Sequence, residues 1–272
     1  MIDFHIHSDC SMDGTASMLE MARAAKDRGT SHICFTDHID MDHYMTGEIN
    51  KEALDNIPEM RRQFTELKAK LGKDMQLFLG TEIGSTNHFP DWGREASEAL
   101  DFDFILGSIH KIQGEPDFYF LKYKSEQHCR SLLDRYLDEL IDLSRLDYID
   151  VISHIGYAKR YMYDAGFKAK VEDDYFKDKL DMLLKTIIES GKGIEINCSG
   201  YLHPQIQGSI PEKSVLKRYK ELGGEIITIG SDAHSVKTAS LGLKEGYSAL
   251  LDAGFRYVTI YRKRKPEFIK IS

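Results

Sequence analysis

Residues 1–8 read MIDFHIHS, a short apolar run that ends in two histidines one residue apart. Strand side chains alternate with a period of two, so both imidazoles fall on one face. The same design recurs along the chain: HICFTDH at 32–38, MQLFLGTE at 75–82, FDFILGSIH at 102–110, YIDVISH at 148–154, GIEINC at 193–198 and EIITIGSDAH at 225–234. Strands are read over 1–6, 32–36, 75–79, 102–106, 148–152, 193–196 and 225–229, with a last β-like segment at 257–260. Helical patterns fill 17–28, 51–71, 126–143, 174–190, 212–222 and 241–253. Strand and helix alternate, which implies βα units and a parallel sheet. Seven or eight units in 272 residues favour a closed, TIM-like α/β barrel over an open doubly wound sheet. No G-x-G-x-x-G succeeds the first strand, which weakens a dinucleotide-binding reading. No linker or repeat divides the chain, so residues 1–272 read as one domain.

The residues at the strand ends carry the chemistry. In a β/α barrel all these ends face one mouth, where active sites lie. His5, His7, Asp37, His38, Glu82, His110, His154, Asn197, Asp232 and His234 all stand at or just after such ends. Six of the eleven histidines belong to this set. A lone His-x-His is a weak signal, and a single buried histidine is usually a hydrogen-bonded core residue. A barrel has no structural need for a His or carboxylate at nearly every strand end. Packed together without compensation, they would repel one another and lose hydration. A cluster of cations is the simplest compensation. Mixed imidazole and carboxylate suit Zn, Mn or Fe better than Ca or Mg alone.

Composition bounds the partners. The formal net charge is −8, so a polyanion such as nucleic acid is not an expected partner. A small anionic substrate remains compatible if cations sit in the site. Cys10, Cys34, Cys129 and Cys198 form no disulfide-like framework, which fits a reducing cytoplasm. No apolar run approaches the roughly 18 residues that span a membrane, and no leader-like segment is read before His5. The residues leave oligomeric state open.

Asp3-Phe4-His5-Ile6-His7-Ser8, Thr36-Asp37-His38, Gly80-Thr81-Glu82, Gly107-Ser108-Ile109-His110, Ser153-His154 and Gly230-Ser231-Asp232-Ala233-His234 resemble the successive motifs of the polymerase-and-histidinol-phosphatase (PHP) superfamily. The resemblance runs from the first strand to at least Gly242. Within the superfamily it is strongest to the stand-alone histidinol-phosphate phosphatases of histidine biosynthesis, on the stretches 104–110, 151–157 and 195–200. It implies a distorted (β/α)7 barrel and three divalent transition-metal ions. His5, His7, Glu82 and Asp232 would hold the first. Glu82 would bridge to a second, held also by His110 and His154. His38 and His234 would hold a third, with Asp13 as a further ligand.

The reaction implied is hydrolysis of a small phosphate monoester, L-histidinol phosphate. A hydroxide shared by two of the ions would attack phosphorus in line, with Glu82 and Asp232 central to the catalytic centre. Arg160, after the fifth strand, is the candidate phosphate clamp, because guanidinium matches phosphate bidentately. His203 could contact phosphate or protonate the leaving oxygen, and Lys111 could add charge. Lys159 and the run Arg262-Lys263-Arg264-Lys265 read as solvated surface. The histidinol-phosphatase branch often carries an arginine soon after the Asn-x-Ser-Gly stretch. Here Gly200 is followed by Tyr201-Leu202-His203. The alternative reading is therefore a nucleotide or oligonucleotide phosphoesterase of the same superfamily.

Overall fold

The computed structural model describes residues 1–271. Its strands are β1 (Ile2–Ile6), β2 (His32–Phe35), β3 (His38–Asp40), β4 (Gln76–Gly84), β5 (Phe104–Ser108), β6 (Val151–Ile152), β7 (Gly193–Asn197), β8 (Ile227–Gly230), β9 (Tyr257–Arg262) and β10 (Lys265–Lys270). Seven of them, β1-β2-β4-β5-β6-β7-β8, lie side by side in parallel, and the short β3 pairs with β4. The ring is closed by hydrogen bonds from the turn after β8 to β1: Asp232 N donates to His5 O at 2.7 Å and His7 N to Ala233 O at 3.0 Å. The result is the expected distorted seven-stranded α/β barrel. Its strands are buried on both faces, which is why they read as apolar runs rather than as alternating ones.

The helices are α1 (Met18–Asp27), α2 (Ile57–Leu71), α3 (Pro90–Ser97), α4 (Glu126–Leu143), α5 (Lys159–Asp164), α6 (Lys177–Glu189), α7 (Lys213–Glu221) and α8 (Leu243–Asp252). Ser17 caps α1 in a reciprocal box with Glu20. In α4, Leu133, Leu137 and Leu140 recur at helical spacing and are buried against the barrel. α2 starts six residues later than expected. Pro58 favours its first turn, and the Asn56 side chain donates to Cys10 O at 2.7 Å instead of extending the helix backwards.

Other departures matter for function. β4 runs on to Gly84 rather than stopping at 79, so Glu82 lies within a strand, not in a loop after it. Two short helices, α3 and α5, occupy segments where the sequence reading places none. The last β-like segment is no barrel strand. β9 and β10 form an antiparallel hairpin across the end where the barrel strands begin. Tyr261 packs on Phe104, ring centroids 5.0 Å apart, and Thr259 Oγ1 accepts from Ile227 N at 3.2 Å. The basic run at 262–265 is this hairpin's turn. Arg264 is not simply solvated: its Nε donates to Asp150 at 2.6 Å and Nη2 to Tyr148 O at 2.6 Å. Lys159, read as a surface lysine, is fully buried, with Glu172 at 3.3 Å and Glu212 at 3.5 Å.

Two buried carboxylates fasten the mouth. Asp3 accepts from Ser231 N at 2.9 Å, Ser231 Oγ at 2.7 Å and Ser240 Oγ at 2.7 Å, locking β1 to the segment after β8. Asp37 accepts from Ser8 N, Ser8 Oγ and Ser11 Oγ at 2.6–2.8 Å, locking the loop after β1 to the end of β2. Farther out, His88 bridges Asp42 at 3.0 Å and Glu139 at 2.7 Å, tying the loop after β3 to α4. Burial opposes a charge on this imidazole, but the two carboxylates prevail and push its pKa up to about 9.

Two outcomes are expected. Asp3→Ala leaves three buried donors unpaired and lowers stability by roughly 2–4 kcal/mol, seen as a lower thermal midpoint. His88→Gln is destabilising below neutral pH. Because His88 binds its proton more tightly when folded, its contribution is complete below about pH 6.5. It fades as pH rises through about 9. The gap between the wild-type and variant melting temperatures, tracked from acid to alkaline pH, should therefore close at the alkaline end.

Candidate metal centre

The histidines of β1 reach the mouth because that strand is irregular. Its register against β2 shifts between Asp3 and Ile6. Strict alternation would send neighbours Phe4 and His5 to opposite faces; the irregularity re-aims them. Phe4 packs on Phe78 and Phe104 inside the barrel, with centroids 5.1 and 5.2 Å away. His5 and His7 nevertheless both reach Glu82, at 3.0 and 3.5 Å. Glu82 shares the inward face of β4 with Phe78, four residues earlier.

Glu82 is the hub, with each carboxylate oxygen facing a different set of imidazoles. Oε2 faces His5 Nε2 at 3.0 Å and His38 Nδ1 at 3.3 Å. Oε1 faces His154 Nε2 at 2.8 Å and His110 Nε2 at 3.2 Å. Asp232 Oδ1 stands 3.5 Å from His5 Nε2 and 3.4 Å from His7 Nε2. His234 Nε2 lies 3.4 Å from His38 Nε2 and 3.3 Å from Asp13. Donor atoms fall into four compact groups: His5, His7 and Asp232; Glu82, His110 and His154; His7, His38 and His234; and His38, Asp40 and His110. All nine residues expected as ligands thus meet at one mouth. Asp13 is the outermost, its side chain more than half exposed.

The outer nitrogens of these rings are already engaged. His5 Nδ1 donates to Glu195 Oε1 at 2.6 Å, His110 Nδ1 to Asp40 at 3.4 Å, His7 Nδ1 to Ser11 Oγ at 3.1 Å and His234 Nδ1 to Asp232 O at 3.0 Å. That fixes each tautomer and leaves Nε2 as a bare lone pair aimed at the centre, the arrangement of metal-binding histidines. His38 Nδ1 is buried and accepts no hydrogen bond. Lone pairs converging at these distances repel one another unless a cation, a proton or a metal ion, sits among them.

Without a metal ion the carboxylates draw protons onto part of the cluster. Burial opposes a charge there, but Glu195, Glu82 and Asp232 raise His5 well above its usual pKa, and Glu82 with Asp40 raises His38 and His110. A bound metal ion would take the place of those protons. Burial alone would raise the Glu82 carboxyl, but His5, His110 and His38 outweigh it and hold the group well below the usual carboxylate range. Asp232 is likewise depressed, burial being outweighed by His5, His7 and His234. His7 is pushed well below its usual pKa, by burial first and then by His234 and His38. It is therefore neutral near pH 7, as a metal ligand must be.

A cavity of about 540 Å³ opens over this cluster. Glu82, His110, His154, Asp232 and Arg160 line it. Arg160, the expected phosphate clamp, is held by Nη2 donating to Ser199 Oγ at 2.7 Å and lies over the Tyr157 ring at 5.0 Å. Its Nε is buried with no partner. Two expected residues do not join. Lys111 is fully buried and turned to Asp42 at 3.5 Å and His43 O at 3.1 Å. His203 sits on the rim with Asp164 at 3.4 Å, outside the residues that line the cavity. Conversely, the sequence reading passes over Glu195 and Asp40. Glu195 carries a signal, an acid in the middle of an apolar strand, GIEIN. Asp40 carries a weaker one, two residues beyond His38 on the same strand face.

Known proteins resemble this chain over nearly its whole length. A "Probable histidinol-phosphatase" from Thermotoga maritima is 29% identical over 265 residues, covering 97% of each chain. Another of that name, from Clostridium acetobutylicum, is 27% identical over 245 residues, covering 90% of each. The crystal structure of histidinol phosphate phosphatase from Lactococcus lactis, complexed with zinc, L-histidinol and phosphate, superposes with a TM-score of 0.78 at 25% identity and covers 98% of both chains. The PHP domain model matches residues 3–199, from the first histidine pair to the stretch after β7, and barrel closure adds Asp232 and His234 to the same centre. The chain belongs to the PHP domain family.

Proposed function

We propose that this chain is a metal-dependent phosphomonoesterase that hydrolyses L-histidinol phosphate to L-histidinol and phosphate. One observation carries the reading: imidazoles and carboxylates from six barrel strand ends converge, lone pairs inward, beneath a cavity whose wall holds Arg160. The likeness to histidinol-phosphatases over nearly the whole chain gives it a substrate. In this reading three divalent ions, zinc, manganese or iron, are bound. His5, His7, Glu82 and Asp232 hold one. Glu82, His110 and His154 hold a second. His38 and His234, with Asp13 at the rim, hold the third.

Such ions supply Lewis acidity and neutralise phosphoryl charge in hydrolysis. The chain's own groups do the rest. Glu82 joins the two halves of the centre through its two oxygens. Glu195 and Asp40 hold the rings of His5 and His110 in the metal-binding tautomer. Asn197 Nδ2 donates to Asp232 at 3.1 Å and steadies that carboxylate. Arg160, which lines the cavity, would present its guanidinium to the phosphate. His203 and Lys111 take no part in this assignment, because each is spent on a neighbouring acid. Arg160 is also the only lysine or arginine among the described residues that line the cavity. That favours one phosphate over the two of a bisphosphonucleotide. The four cysteines are free and buried, in keeping with a cytoplasmic enzyme.

The direct test is phosphate release from L-histidinol phosphate by metal-loaded protein, against glycerol phosphate. Equal rates on the two would overturn the substrate assignment, and activity that survives exhaustive chelation would overturn the chemistry. Glu195→Gln should weaken metal affinity by roughly 10- to 100-fold, read by elemental analysis after graded dialysis. Arg160→Lys keeps the charge but loses the planar fork. It should raise KM for the phosphoester about tenfold while metal content stays unchanged.

A further inference from the structure

Lys159 reads as a surface residue in the sequence, yet it is 0% exposed. Taking an ammonium out of water is costly, and attraction to a carboxylate often fails to offset the cost. An apolar side chain of similar volume would fill the same space without it. Stability therefore does not explain this lysine. Nor does direct contact with a ligand, because Lys159 is not among the residues that line the cavity. Its place in the chain connects it to the site: it opens α5, and the next residue is Arg160.

α5 is six residues long, and its N-cap, Ala158, makes no side-chain hydrogen bond. So short a helix has no stability of its own. It carries Arg160 and Tyr161, both of which line the cavity. Successive helical side chains diverge by about 100°, so with Arg160 turned to the cavity Lys159 is turned beneath the helix. There its Nζ donates to Glu172 Oε1 at 3.3 Å and to Glu212 Oε1 at 3.5 Å. The same Glu172 oxygen accepts from Glu212 N at 3.1 Å. Lys170 completes the group, donating to the two Glu212 oxygens at 3.0 and 2.9 Å. Among the described residues Lys159 is the only cation paired with Glu172, whose other oxygen is buried with no partner.

Both ends of Arg160 are thereby tied to one segment, the one that leaves β7. Glu212, at its far end, is the N-cap of α7 and holds the base of α5 through Lys159. Ser199, at its near end, accepts from the guanidinium at 2.7 Å. The Ser199 hydroxyl donates in turn to Asn197 Oδ1 at 2.6 Å, and Asn197 Nδ2 donates to Asp232 of the metal cluster at 3.1 Å. The guanidinium is registered to the cluster at its head, and its backbone is registered to the same segment by the buried lysine.

We propose that Lys159, with Glu172 and Glu212, is the positioning group for Arg160: the buried ion network fixes where α5 begins, and so how far the guanidinium stands from the metal cluster. The proposal deepens the phosphomonoesterase reading and rests on it for the identity of the anion. Lys159 acts through Arg160 alone, so its loss weakens anion binding and leaves the metals in place.

Inorganic phosphate is the probe, titrated calorimetrically into metal-loaded wild type, Lys159→Met/Glu172→Gln, Arg160→Ala and the triple variant. The paired substitution removes one charge of each sign and leaves Lys170 with Glu212. Phosphate affinity should fall by roughly three- to tenfold with metal content unchanged, since about 1 Å of misplacement costs a positioned group at least that much. In the Arg160→Ala background the same pair should change affinity by less than about twofold, because no guanidinium is left to place. A network that served folding alone would weaken binding equally in both backgrounds. Unchanged affinity in the paired variant, an undiminished loss beside Arg160→Ala, or a fall in metal content each overturns the proposal. Should the paired variant fail to fold, Glu172→Gln taken through the same cycle is judged by the same outcomes. Turnover of glycerol phosphate by the wild-type preparation judges the phosphomonoesterase reading separately. No turnover, beside a phosphate affinity that depends on Lys159 only when Arg160 is present, would retire the reaction and keep the positioning role.

Discussion

A carboxylate buried among imidazoles, Glu82, sets the terms for the rest of the molecule. Removing ionisable groups from water is costly unless their charges and lone pairs are answered. Here one carboxylate faces five rings, and a sixth ring and Asp232 crowd the same space. The surroundings are built to keep that arrangement from relaxing. Asp3 and Asp37 sit just beneath and behind the cluster and accept only from serine hydroxyls and backbone N–H groups. Serine is small enough to pack there and supplies a donor without bringing a charge. The two clamps hold the termini of β1, β2 and β8, the strands on which His5, His7, His38, Asp232 and His234 depend.

The two ends of the barrel divide the work. At the closed end Phe4, Phe78, Phe104 and Tyr261 stack into an apolar plug, and the β9–β10 hairpin seals it through Arg264 and Asp150. This end can be optimised for packing alone. The mouth carries polar groups whose mutual repulsion works against folding, so the plug stabilises a structure that the mouth strains. Close packing continues up to the boundary between them. A Cβ on Gly230 would come within 2.2 Å of the His5 Cβ, so only glycine lets β8 approach β1 at the level of the metal ligands.

The mouth is more legible in the sequence than the scaffold around it. Ligand residues sit at strand ends, and strand ends are where an apolar run gives way to a polar group, so HIH, GTE, SIH, ISH and SDAH announce themselves. Their convergence is a consequence of barrel topology alone. Groups whose role depends on a partner distant in the chain are harder to read. Lys159 looks like any surface lysine until α5 turns it between Glu172 and Glu212. Lys111 looks like a substrate contact until Asp42 claims it. The β9–β10 hairpin is only half read, as the β-like segment at 257–260, because its strand β10 is almost wholly exposed. The short α3 and α5 lack the length over which helical periodicity becomes visible.

The overall charge stands at odds with a phosphate ester, since a chain of net charge −8 should repel a dianion. The site resolves this locally. Bound divalent ions would invert the field at the mouth, and Arg160 extends the positive region along one wall. The acidity of the rest of the chain lies outside this region, so it weighs little against a small phosphate held at the centre and heavily against a long polyanion, whose charges extend past the mouth.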